Sequence, residues 1–299
     1  MTDDEVRRLA RQGEDSRTQF KRGPIGIAKL AAELTAFTNA AGLSLTRAEE
    51  LPVKGTSERD VDLYHFGEFL ERNYGIPARD ALEPGKVDVP QLLANLGFSS
   101  GTQLTLAGVM LFGLFPQRFV PVNVVKCVAF ACKSITQSSY RDSQDFGGTI
   151  REMYRSTMSF LMRNLRHEQR GQDFNSIGIP IVAEGALSEL VANMFLHRDY
   201  FVLSPWRVLM FDDRIELHSP GVLPNHQSVA KIKSGVSVAR NPIIFTFATK
   251  EIPYRGLGSG IKRALELHPA LDFVNDEEAN EFVAIARHAD EAVQRRERQ

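Results

Sequence analysis

The feature that most constrains the fold is a helical segment from Glu184 to Tyr200 with apolar and polar residues on separate faces. At 100° per residue, its apolar side chains fall on one stripe that we expect to pack on a sheet. Glu189, Asn193 and His197 recur every four residues, so they line up along a second face. The helix should therefore pack its apolar stripe on a sheet and turn its polar row toward a different environment. The stripe consists of Leu187, Leu190, Val191, Met194 and Phe195.

A carboxylate, an amide and an imidazole in one row can form a metal and phosphate site. The oxygen of Asn193 or of Glu189 can hold Mg2+, and a carboxylate beside a bound phosphate can orient or deprotonate a water. The alternative interpretation is an ordinary solvated polar face, and the helix alone does not decide between the two.

Two glycine-containing segments downstream favour the site. Residues 219–224 (SPGVLP) follow a predicted strand and open a loop, and residues 255–261 (RGLGSGI) open a helix. Glycines let the backbone approach a phosphate, and a helix N-terminus offers free N–H groups. The alternative is a simple loop-to-helix turn. The second segment lacks the Gly-Lys-Ser/Thr of a Walker loop, and no strand leads straight into it as in a Rossmann fingerprint.

The order of predicted elements favours an α+β class, a sheet with helices on one face. VLMF and RIELH predict strands at 206–211 and 213–218, joined by a two-residue hairpin turn at Asp212-Asp213. Leu104 to Phe112 is either helix or strand. The remaining predictions are helices at 63–74, 89–96, 150–166, 184–198, 242–250 and 260–267, strands at 122–133 and 281–287, and a polar loop at 134–148.

Composition sets limits on partners and location. The net charge of -1 over 299 residues does not demand a basic surface, so nucleic-acid contact would need a local patch. Cys127 and Cys132 lack a second ligand pair, so we expect buried free thiols in a reducing compartment. No stretch approaches the roughly 20 continuous apolar residues of a membrane span, and the N-terminus lacks the apolar core of a signal peptide. We expect a cytoplasmic protein without a membrane partner.

Five segments carry a family resemblance: LTLAGVMLFGLFPQRFVP (104–121), ALSELVANMFLHRDY (186–200), FDDRIELHSPGVLP (211–224), RNPIIF (240–245) and RGLGSGIKRAL (255–265). In order and spacing, the chain from about residue 51 to 288 resembles bacterial RecG-related predicted regulators, also described as ATP-binding proteins. These join an N-terminal Schlafen/Alba-type DNA-binding domain to a C-terminal GHKL-like ATPase domain of the gyrase and histidine-kinase type. A helicase motor requires a Walker loop. The sequence lacks one, so no helicase motor motif is present.

The resemblance implies cofactors and site residues. ATP and Mg2+ are the implied cofactors, with Glu189 as the water-activating catalytic carboxylate and Asn193 as the Mg2+ ligand. Residues 225–254 would form a lid, from which Arg240 or Lys250 reaches the phosphates. Ser219-Pro220 replaces the aspartate that binds adenine in the family. The implied nucleotide-binding glycines are Gly221 in the adenine pocket and Gly256, Gly258 and Gly260 under the triphosphate.

The resemblance also divides the chain. Residues 1–50 read as a remnant of the Schlafen/Alba-type domain, because EDSRTQFK (14–21) and IAKLAAELTAFTNAAG (27–42) match its opening while most of its sheet is absent. Gln19 replaces an acidic residue of that opening, so nuclease activity is not expected. Residues 51–170 are predicted as a helical and mixed linker region, 171–288 as a GHKL-like α/β sandwich that binds ATP, and 289–299 as a tail.

Three hypotheses about function follow. The first is an ATP-binding regulatory protein, akin to a transcriptional regulator, that forms a homodimer when ATP orders the lid. The second is an active ATPase. The third is a DNA-binding module in which the ATPase-like domain is a non-catalytic scaffold and basic residues between Arg7 and Arg22 contact DNA. The residues favour nucleotide binding over hydrolysis or action on DNA.

Overall fold

The structure, a computed structural model, describes residues 47–135, 139–169, 178–224, 227–254 and 259–288. The predictions on residues 1–46, on Gly256 and Gly258, and on the tail lie outside these ranges. The described residues from Ala48 onward form one compact unit. In the ranges that are described, every helix is too short or too polar to cross a membrane.

Helices and strands alternate irregularly along the chain, and short 3-10 helices lie at Ala48–Glu50, Glu58–Asp60 and Ala78–Ala81. The helices are α1 (Leu63–Tyr74), α2 (Val89–Asn95), α3 (Leu106–Phe112), α4 (Pro116–Phe119), α5 (Ile150–Asn164), α6 (Glu184–Leu196), α7 (Val229–Lys233), α8 (Pro242–Ala248) and α9 (Gly260–Leu267). The strands are β1 (Ser99–Ser100), β2 (Gln103–Leu104), β3 (Val125–Phe130), β4 (Tyr140–Phe146), β5 (His167–Glu168), β6 (Ile179–Pro180), β7 (Trp206–Met210), β8 (Arg214–Pro220), β9 (Leu271–Asp276) and β10 (Glu281–Arg287).

A six-stranded mixed sheet in the order β4-β3-β7-β8-β10-β9 forms the centre of the unit. β3 and β7 are parallel, and the other neighbours are antiparallel. The predicted α+β class is confirmed. Strands from either side of residue 170 hydrogen-bond to each other at the β3–β7 pair, so the segments 51–170 and 171–288 share this sheet.

One face of the sheet is apolar and carries helices. Cys127, Val208, Leu217, Ala284 and Phe273 form a row across five neighbouring strands, and all five are buried. Helices α5 and α6 pack on this face. The opposite face carries an ion-pair ladder of Arg207, Glu281, His218, Glu216 and Arg214, which leaves the apolar row as the surface on which helices can bury area.

The C-terminal turn of α6 is fixed by donors from the sheet and from α8. The Met194 carbonyl, which lacks a partner within the helix, accepts from Trp206 Nε1 at 2.9 Å and Ser219 Oγ at 3.0 Å. Asn241 Nδ2 donates to the carbonyls of Leu196 at 3.1 Å and Arg198 at 2.8 Å. The end of α6 therefore cannot shift without breaking several buried hydrogen bonds.

One sequence prediction of secondary structure was wrong. The segment 134–148, predicted as a polar loop, contains the edge strand β4. Most of its side chains are polar and exposed, and only Asp142 and Phe146 are half-buried, so the period-two alternation that marks a half-buried strand is weak. The strand β9 was not predicted. By contrast, the hairpin turn at Asp212-Asp213 is confirmed, and the ambiguous stretch after Leu104 forms helix α3. Both cysteines are buried free thiols, as expected.

Candidate functional site

A pocket lies between α6, the helix-bearing face of β8 and β10, and the segment from Gly221 to Val238. Its walls are mostly apolar, and no Asp, Glu, Lys or Arg lines it among the residues that the structure describes. The polar side chains that line it are few and lie at separate points: Asn193, His197, Ser219, Gln227, Ser237 and Tyr254. An apolar enclosure with scattered polar groups is typical of small-molecule sites.

The predicted polar face of α6 is not a solvated face. Glu189 is buried and Asn193 is half-buried. Glu189 Oε1 forms an ion pair with Arg263 Nη2 of α9, while its Oε2 is buried without a partner among the described residues. The carboxylate thus lies beside the pocket, held by a cation that the sequence did not single out.

Asn193 lines the pocket, and both of its polar atoms are engaged. Its Nδ2 donates to the Glu189 carbonyl at 2.7 Å, and its Oδ1 accepts from the Tyr254 hydroxyl at 3.2 Å. Burial raises the pKa of Tyr254 to about 12, helped by the nearby charge of Glu189 and opposed by that of Arg263. The phenol therefore stays protonated at neutral pH and acts as a donor to Asn193.

His197 ends α6 and lines the pocket. Burial, and to a smaller extent the charge of Arg240, lower its pKa to about 4, while a hydrogen bond with the Val238 backbone opposes the shift. The ring is therefore neutral at pH 7. It contributes a flat, uncharged wall, with Phe245 5.8 Å away between ring centroids.

Gly221 lies where the pocket meets the residues after α6. Its φ is +95°, and a Cβ there would overlap Asp199 and come within 2.6 Å of Arg240 Nη1. Asp199 Oδ2 lies 3.4 Å from Arg240 Nη1, and Arg240 Nη2 donates to the Val222 carbonyl at 2.5 Å. A glycine is therefore required for this close packing, whether or not a ligand is present.

His197-Arg198-Asp199 has a structural account. Arg198 is fully buried, with its guanidinium 4.2 Å from the Trp206 ring centroid and 5.3 Å from that of Tyr200. Asp199 accepts from the Phe201 amide at 2.9 Å and pairs with Arg240 rather than with Arg198. The two sequence segments HRDY and RNPIIF thus bind each other beside the pocket.

The structure brings only part of the predicted phosphate-binding set to the pocket. Gly260 begins α9 and lines the pocket, and a Cβ there would lie 2.6 Å from Glu189 Oε2. Arg240 lies at the rim, beside Gly221. Lys250 lies 5.0 Å from the Tyr74 ring centroid, outside the set of pocket-lining residues.

Sequence reasoning missed Tyr254 and Arg263. Tyr254 directly precedes the glycine-rich segment, and Arg263 follows Gly260 by three positions, so both could have been suspected from helical spacing and adjacency. Among the described residues, no group of three or more His, Cys, Asp or Glu side chains could hold a metal ion. A cation at Asn193 would therefore need ligands from a bound anion.

Residues 204–278 match a family model described as "Putative ATP-dependent DNA helicase recG C-terminal". The matched range holds much of the pocket, and it supports an ATPase-like, nucleotide-binding region at this coarse level. None of the curated proteins matches the chain.

The fold is similar to that in a crystal structure of the DIP2311 protein from Corynebacterium diphtheriae, with a TM-score of 0.57 and 15% sequence identity. The similarity covers 86% of this chain and 49% of that chain. This chain therefore spans about half the length of that protein, and the likeness concerns the fold alone.

Proposed function

We propose that this protein binds ATP with Mg2+ in the pocket beside α6 and acts as a regulatory nucleotide-binding protein. The observation that carries the proposal is the uncharged apolar pocket that ends at Asn193 and at the start of α9. Apolar walls suit a flat aromatic base. The N-terminus of α9 offers free N–H groups and a positive dipole end to phosphates.

The polar groups at the phosphate end fit such a ligand. Asn193 Oδ1 is the oxygen that would hold Mg2+, and Glu189 Oε2 is a buried acceptor without a partner among the described residues. Bound Mg2+ would neutralise phosphate charge and supply the missing ligands through phosphate oxygens. At the other end, Ser219 donates its proton to the Met194 carbonyl, so its oxygen can accept a hydrogen bond from a base amino group.

Hydrolysis is the weaker part of the proposal. Glu189 is the only carboxylate of α6 beside the pocket, and as long as it is paired with Arg263 its ability to accept a proton from water is reduced. We therefore propose that binding dominates and that turnover, if assayed as phosphate release, is slow. Glu189→Ala should abolish that release while ATP still binds.

Isothermal titration with ATP and Mg2+ tests the binding proposal. We expect saturable heat with the unmutated protein and at least about tenfold weaker binding for Asn193→Ala, a loss of roughly 1.4 kcal/mol. Asn164→Ala is the matched control, because Asn164 also donates to the carbonyl four residues before it in its helix, at 3.1 Å, but lies outside the pocket. An absence of heat at millimolar ATP would sink the proposal.

The regulatory part of the proposal involves dimerisation and DNA. We propose that ATP orders residues 227–240 over the pocket and that the ordered segment promotes a homodimer, a two-state element biased by ligand. Light scattering should show a doubled mass with ATP.

The alternative is a DNA-binding protein in which the pocket has no nucleotide role. A gel shift that weakens steeply with salt, together with no ATP binding, would favour it.

A further inference from the structure

Two side chains on either side of the glycine-rich segment (residues 255–261) contact the Glu189 and Asn193 side chains of α6. Arg263 of α9 pairs with Glu189 Oε1, and the Tyr254 hydroxyl donates to Asn193 Oδ1. The proposed function places the Glu189 carboxylate beside the ligand and assigns Asn193 Oδ1 to Mg2+. Both side chains are therefore contacted by residues from the same stretch of chain, while Glu189 Oε2 has no partner among the described residues.

The two side chains of the Glu189–Arg263 pair differ in their freedom to move. The Glu189 side chain is 11% exposed and that of Arg263 is 30% exposed. Glu189 lies on α6 between buried neighbours, whereas Arg263 reaches it from the half-buried side of α9. One nitrogen of Arg263 contacts one oxygen of Glu189, so the bidentate geometry that strengthens such pairs is absent. Arg263 is thus the partner that can leave.

We propose that Arg263 exchanges partners, pairing with Glu189 in the free protein and with a terminal phosphate of ATP in the complex. The proposal rests on the proposed function. A phosphate carries more charge than a carboxylate and offers Arg two oxygens at once. Arg263 lies one helical turn after Gly260, which lines the pocket, and on the side of α9 that meets α6.

The exchange makes Arg263 a phosphate-binding residue that also controls Glu189. While it is bound to Glu189, the carboxylate is neutralised and cannot orient water. When the phosphate draws the guanidinium away, Glu189 regains its full acceptor strength beside the ligand. Hydrolysis would then require a ligand with a terminal phosphate within reach of α9.

A double-mutant cycle on ATP affinity tests the exchange without relying on turnover. Kd for ATP is measured by titration for the unmutated protein, Glu189→Gln, Arg263→Gln and the double variant. If Arg263 leaves Glu189 on binding, Glu189→Gln should tighten ATP binding about fivefold more with Arg263 present than in the Arg263→Gln background. Fivefold corresponds to a coupling of about 1 kcal/mol, as expected for a partly exposed pair.

Thermal unfolding of the four proteins without ligand supplies the second readout. It should show coupling between the two substitutions in the free state, whether or not ATP binds. Lys262→Gln is the control, because Lys262 is the exposed neighbour of Arg263 on α9. It should change neither the fivefold ratio in ATP affinity nor the coupling in unfolding free energy between Glu189 and Arg263.

Each outcome has one meaning. If ATP binds and Glu189→Gln tightens its binding equally with Arg263 and with Arg263→Gln, the exchange is overturned and the proposed function is left intact. No coupling in the free proteins would also overturn it. No ATP binding by any variant, including the unmutated protein, would reject the proposed function, and the exchange with it.

Discussion

At the scale of single residues, the site depends on groups whose charge is set by their surroundings. His197 is kept neutral by burial and by Arg240, and Glu189 is offset by Arg263. The pocket wall therefore presents no charge of its own, while charged groups lie just behind it. Such an arrangement suits the uncharged base of the proposed nucleotide, whose phosphates would lie near the start of α9.

The lowered pKa of His197 predicts a pH dependence of stability. Folding keeps the ring neutral below its ordinary pKa of 6.5, so stability is fully present above pH 6.5 and falls as the pH drops toward about 4. His197→Gln should remove about 2 kcal/mol of the difference in unfolding free energy between pH 7 and pH 5.

Urea unfolding at the two pH values measures this difference. The exposed His167 gives the control variant His167→Gln, which should behave as the unmutated protein does. Identical pH profiles for all three proteins would contradict the account of His197.

At the scale of elements, the predicted lid has two unlike halves. Residues 227–238 contribute pocket-lining side chains. Helix α8, in contrast, buries Ile244 and Ala248 completely, and Glu49 accepts from the backbone amides of Ile243 and Ile244 at 3.0 and 2.8 Å. Helix α8 is therefore part of the core, and the proposed lid movement would have to come from the first half.

A buried ion cluster anchors the end of this segment. The Glu251 carboxylate, 2% exposed, lies 2.7 Å from His65 Nε2, 2.8 Å from Arg72 Nη2 and 3.3 Å from Arg151 Nη1. Burial raises the pKa of Glu251, but its hydrogen bond with His65 and the surrounding positive charges outweigh burial and lower it overall. The cluster thus ties the chain just before Tyr254 to helices α1 and α5.

Neutralising this cluster should loosen the site as well as the fold. Glu251→Gln leaves the neighbouring cations without their shared carboxylate, so we expect a loss of about 3 kcal/mol in unfolding free energy. Glu71→Gln, at an exposed position on α1, should change it by less than about 0.5 kcal/mol. Chemical denaturation measures both, and equal stabilities of the two variants would show that the cluster contributes nothing.

At the scale of the whole molecule, the shared sheet determines how the chain unfolds. β3 and β4 come from the segment before residue 170, and β7 to β10 come from the segment after it. Phe247 of α8 also packs against Phe69 and Phe98, at 6.0 and 4.7 Å between ring centroids. Contacts between the two segments are therefore part of the core rather than a separate interface.

This arrangement predicts a single cooperative transition for residues 48–288. Trp206, the one tryptophan of the chain, lies in β7 and reports on the centre of the sheet, while far-UV ellipticity reports on all helices. The denaturant midpoints of the two signals should coincide. Separate midpoints would mean that the two segments unfold as independent domains.

Local sequence patterns predicted elements whose side chains repeat at helical or strand spacing. The apolar stripe of α6 is buried as predicted, although most other residues of this helix are buried too, and β8 alternates between half-buried and buried residues, because periodicity reflects which face of an element meets the core. Strand β4 escaped detection because most of its side chains are polar and exposed, so its sequence carries little alternating signal.

The tertiary structure alone decided how the site is assembled. Glu189 and Arg263 are 74 positions apart, and Asn193 and Tyr254 are 61 positions apart. A local sequence pattern cannot pair residues at such distances. The sequence placed Glu189 and Asn193 on one face of a helix because helical spacing is a local property. Which groups face them depends on how α9 and the chain before it pack onto α6, and that packing depends on contacts distant in sequence.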